Sequence, residues 1–82
     1  MKNLTIKQIR QQSKEKINRM RAACVRITDD NARNAVAALI TAENCYNIIT
    51  HRYTRLQSIL YFQDAFLTAE KKFFDFVEGD AV

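Results

Sequence analysis

Residues 28–77 read TDDNARNAVAALITAENCYNIITHRYTRLQSILYFQDAFLTAEKKFFDFV, fifty positions with neither glycine nor proline. An apolar or small residue returns every three or four positions: Ala35, Leu39, Ala42, Tyr46, Ile49, Tyr53, Leu56, Leu60, Leu67, Phe74 and Val77. That period is helical. The whole chain holds one glycine, Gly79, and no proline. A β-rich fold needs turn residues that are missing here, so the fold class is all-α.

At 82 residues there is room for a single helical domain, 1–82. A domain of this size buries only about 60–65% of its unfolded surface, so small helical proteins often lean on a second molecule. With 48% apolar residues, intrinsic disorder is excluded.

Outward from the opening stretch, residues 4–27 form a first helix. Ile6, Ile9, Ser13, Ile17, Met20, Cys24 and Ile27 share one narrow arc at 100° per residue. Lys7, Arg10, Lys14 and Arg21 line one flank of the arc; Lys16, Arg19 and Arg26 line the other. Thr28 is placed to cap a second helix, with Asp29 and Asp30 in its first turn. Residues 29–50 form that helix, antiparallel to the first, with Ile17 opposite Leu39 and Ile6 opposite Ile49. A helix over 53–78 follows, with Gly79 as its C-cap.

The junction between the last two helices leaves two architectures open. The β-branched cluster around Ile48, Ile49, Thr50 and Thr54 weakens helix. A break there lets the last helix fold back, giving an antiparallel hairpin plus a third helix in a three-helix bundle. Without a break, about 50 residues form one helix of roughly 75 Å, a long-helix hairpin that dimerises. The unsatisfied apolar area favours fold-back; the missing glycine and proline favour continuity.

Charge divides along the chain. Residues 1–27 carry eight cations against Glu15 alone, a net +7; residues 57–82 carry two cations against five acids, a net −3. Seven cations, Lys7, Arg10, Lys14, Lys16, Arg19, Arg21 and Arg26, make a basic face suited to phosphates or to an acidic protein surface. No aromatic residue interleaves with them for base stacking. All five phenylalanines lie in the last third, where Tyr61, Phe62, Phe66, Phe73 and Phe76 make a candidate partner-binding face.

Signatures of chemistry are missing. His51 is the only histidine, with no carboxylate or nucleophile pattern around it. Cys24 and Cys45 make neither a Cys-x-x-Cys motif nor a disulfide framework, and read as buried, reduced thiols of a cytoplasmic protein. No metal spacing or phosphate loop is present, so no cofactor, no small-molecule substrate and no enzyme activity are expected. The first residues are too polar for a signal peptide, and no run approaches the ~20 apolar residues of a membrane span.

One segment carries a resemblance. Residues 42–53, AENCYNIITHRY, resemble the second-helix segment of small type III secretion needle co-chaperones, through Ala42, Glu43, Asn44, Asn47, Ile48, Ile49, Arg52 and Tyr53. The resemblance implies a helical hairpin that binds a larger helical-repeat chaperone and helps keep a needle subunit from polymerising. Both this and the residue reading lead to a small non-enzymatic protein that binds another protein, or itself as a homodimer, through helix faces, as a chaperone, adaptor or inhibitor. The alternative is a basic nucleic-acid-binding regulator that sets its first helix on phosphates.

Overall fold

The computed structural model describes residues 4–24, 27 and 29–78. It contains three helices and a π-helical turn: α1 (Ile6–Ala23), α2 (Asp29–Asn47), the π-turn (Ile48–Arg52) and α3 (Leu56–Glu78). The chain folds back at the π-turn, giving an all-α, three-helix arrangement. Its longest dimension is 39 Å, against the ~75 Å of an unbroken 50-residue helix.

α1 begins at Ile6, where its apolar arc begins and two residues after the expected position 4, because Thr5 caps it. The Thr5 hydroxyl accepts from the Gln8 N–H at 3.1 Å, and the Gln8 carboxamide accepts from the Thr5 N–H at 2.9 Å. This reciprocal box satisfies two donors that a helix start otherwise leaves open. The helix closes at Cys24, whose N–H reaches Met20 O and Arg21 O, three residues short of the expected Ile27. The proposed caps Thr28 and Gly79 lie outside the described residues, as do the side chains of Asp29 and Asp30.

The core joins one face from each helix. α2 supplies small residues, Ala35, Ala38, Ala42 and Cys45, and then Ile49. Small side chains allow α3 to come close, and Ile59, Phe66, Ala69 and Phe73 fill the space above them. α2 and α3 make the most extensive pairing. α1 lies against both with Ile9, Ile17, Met20 and Ala23. Ser13, also in this face, returns its hydroxyl to Ile9 O at 2.8 Å, so its burial leaves no unpaired polar atom.

The expected seam is right over α2 and wrong over α3. Ala35, Ala42 and Ile49 are buried, with Leu39 and Tyr46 half-buried beside them. On α3, however, Leu56, Leu60 and Leu67 are 45%, 45% and 40% exposed, and the buried line is Ile59, Phe66, Ala69 and Phe73. Both lines repeat at helical spacing. The second wins because two phenyl rings remove more apolar area from water than leucines do.

α1 is antiparallel to α2: Arg10 meets the π-turn that follows α2, while Arg21 meets Glu43 within α2. Arg10 reaches the Ile49 carbonyl through its side chain. Lys16 joins α1 to α3 through Glu70 at 3.2 Å.

Candidate protein-docking surface

α3 is apolar on two sides, and only one of them is used. Leu56, Leu60 and Leu67 fall within about 40° of one another at 100° per residue, so they share a stripe. All three are exposed. Phe74, half-buried, extends the same line. Tyr61 stands about 100° round the helix from Leu60 and is the most open large hydrophobic among the described residues, at 70% exposure.

The aromatic face expected on this helix is split by the fold. Phe66 and Phe73 are completely buried and belong to the core, so they are not accessible to a partner. Phe62 and Phe76 are half-buried. Phe62 lies between two rings, stacked on Tyr53 at 5.6 Å and edge-on to Tyr61 at 5.0 Å. Phe74 packs edge-on against Phe73 at 5.1 Å, which ties the outer stripe to the core. Tyr61 is therefore the one member of the expected set that faces fully outward.

The basic face of α1 is also divided. Arg10, Lys16 and Arg21 are engaged within the molecule. Arg21 sends both Nε and Nη2 to one oxygen of Glu43, with Nε at 2.9 Å. Lys16 holds Glu70, and Arg10 binds backbone carbonyls at the end of α2. Lys7, Lys14 and Arg19 are exposed and make no ion pair among the described residues. Arg26 lies outside the described residues.

At the elbow, Arg10 Nε donates to Ile49 O at 2.9 Å and Nη2 donates to Tyr53 O at 3.1 Å. Tyr53 is in extended conformation, φ −121°, ψ 145°, and its N–H reaches back five residues to Ile48 O. The π register thus leaves Ile49 O to the arginine. The elbow also strands a hydroxyl. Thr41 and Thr68, in regular helix, donate to the carbonyl four residues back, both at 3.1 Å. Thr50 Oγ1 is buried and finds no such partner, at a cost of about 1–3 kcal/mol for a group of this kind.

His51 is exposed at the π-turn. Burial raises the Cys24 thiol pKa, with a smaller push from the Glu43 carboxylate; burial alone raises Cys45. Both changes suppress the thiolate, which is the nucleophilic form. The two cysteines are unbridged. Among the described residues, no three His, Cys, Asp or Glu side chains cluster as a metal site would need. No described helix is long and apolar enough to cross a membrane.

Comparison with protein-family models, with curated proteins and with solved structures returned no match.

Proposed function

We propose that this chain is a small, non-enzymatic helical binding protein that docks another protein on the outer face of α3. The observation that carries the reading is the stripe of Leu56, Leu60 and Leu67 on a helix whose other apolar face, about 100–120° round, already fills the core. Leucines at that spacing present ridges into which an amphipathic helix of a partner can pack. Tyr61, open and already braced by Phe62, supplies the kind of anchor that concentrates interface energy. Docking would cover apolar area that the monomer leaves in water.

The roles that suit such a surface are chaperone, adaptor or inhibitor, acting in the cytoplasm. The resemblance of residues 42–53 to needle co-chaperones supports that class; those residues run from the end of α2 through the π-turn to Tyr53. The test is a photo-crosslinking amino acid placed at Leu60 or Leu67 in the native host, with Thr41 on α2 as control. A discrete adduct at 60 and 67, absent at 41, is expected. Equal labelling at 41, or none at 60 and 67, removes the reading.

The nucleic-acid reading rests on fewer charges than the sequence offers. Three free cations on α1 would give a salt slope, d log K/d log[salt], of about −3; seven would give about −6. Duplex binding with the steeper slope would mean that Arg10, Lys16 and Arg21 leave their internal partners, and would reverse the preference for a protein partner.

A further inference from the structure

The elbow is built from residues that are all compatible with helix. Between the π-turn and α3 lie only Tyr53, Thr54 and Arg55, with no glycine and no proline among them. No described non-glycine residue has a positive φ. Rotating Tyr53 from its extended conformation into the helical region, with Thr54 and Arg55, would join α2 to α3 without a steric obstacle.

The hydrogen-bond pattern shows what prevents this. In a continuous α-helix Ile49 O would accept from the Tyr53 N–H, and Tyr53 O from the Gln57 N–H. In the fold-back both carbonyls accept instead from one side chain, Arg10, through Nε and Nη2. The guanidinium, brought from 39 residues away, stands in for the two backbone donors that straightening would supply. The Tyr53–Phe62 stack closes the elbow from the α3 side. Acting against closure, the π-turn leaves Thr50 Oγ1 buried without a partner. Regular helix would offer it the carbonyl four residues back, as it does for Thr41 and Thr68.

We propose that this chain has a second state, a domain-swapped dimer with α2 and α3 fused into one helix, and that Arg10 is the latch that sets the balance between it and the folded-back monomer. The occupant of the opened surface is a second copy of the same chain. Straightening pulls Phe66 and Phe73 off the alanine face of α2 and exposes both. The α3 of a partner copy is the one segment whose shape fits that face without change, because every α2–α3 contact of the monomer is remade between chains. Only the elbow differs between the two states.

The experiment measures solution mass and shape over a concentration series. The 9.5 kDa chain is expected as monomer. Arg10→Met keeps the aliphatic length and removes the donors; it should shift the protein to twice that mass. Its longest dimension should rise from 39 Å toward the ~75 Å of a fused helix. Adding Thr54→Pro should restore the monomer, since proline holds Tyr53 extended and cannot continue the helix. A folded Arg10→Met protein that stays monomeric throughout would overturn the proposal. So would an Arg10→Met dimer that survives Thr54→Pro. If Arg10→Met does not fold, Thr54→Ala with Arg55→Ala decides the matter with Arg10 in place. These better helix formers should raise the dimer fraction above that of the unaltered chain, and no increase counts against the latch.

Discussion

Phe66 and Leu67 are sequence neighbours about 100° apart on one helix, and the fold assigns them very different energies. Phe66 is 0% exposed in the core shared by the three helices; Leu67 is 40% exposed on the outer stripe. Replacing Phe66 by alanine removes a ring from a close-packed core and leaves a cavity, at a cost of about 3–5 kcal/mol. A chain of this length has total stability on the order of 4–12 kcal/mol, so the variant gives up a quarter or more of it. At about 4–8 °C per kcal/mol for a domain of this size, Tm should fall by roughly 12–40 °C. Leu67→Ala gives up only part of a leucine's ~1.5–3 kcal/mol transfer energy and opens no cavity. Its cost should be about 1 kcal/mol or less, a fall in Tm of no more than about 8 °C. Urea unfolding followed by far-UV circular dichroism, with thermal melts alongside, measures both. If Leu67→Ala costs as much as Phe66→Ala, the leucine line is the core seam after all, and the docking surface disappears with it.

Two further outcomes concern the edges of the fold. Thr5→Ala removes the hydroxyl half of the α1 capping box and should cost about 1 kcal/mol, visible as a lower urea midpoint with an unchanged slope. The thiols set an alkaline limit. Their pKa values are raised in the folded chain above the ordinary ~8.5, so folding favours the protonated form. Stability is full below that ordinary value and is lost as pH rises past it toward the folded values. Melts at pH 7 and pH 10 should therefore show a drop, and Cys24→Ala with Cys45→Ala should make it smaller; an equal drop in that variant would mean that the thiols do not contribute.

Much of this architecture is legible in the sequence because local signals decide it. The missing glycine and proline exclude sheet, and the β-branched cluster at 48–54 marks the place where the chain bends. The choice of face on α3 is not local. Leu56–Leu60–Leu67 and Ile59–Phe66–Phe73 are both valid helical stripes, and α2 selects between them by offering alanines, which accommodate rings. The division of the basic face is equally hidden. Nothing near Arg10 in sequence announces that it will bond carbonyls 39 and 43 positions away. The Thr5–Gln8 box, by contrast, is a short-range pattern that the polar character of the first residues obscures. For the docking surface, the signal was present in the leucines themselves, but core and surface stripes have the same period, and only packing tells them apart.

The latch has a consequence for synthesis. α1 emerges from the ribosome before α2, and its apolar arc has no mate in this fold until α2 and the elbow have followed. The carbonyl that Arg10 binds is made 39 residues after the arginine. At about 5–20 residues per second, α1 waits roughly 2–8 s before that partner even exists. During those seconds a basic amphipathic helix is on display, and it becomes quiet only when the bend it secures has been translated.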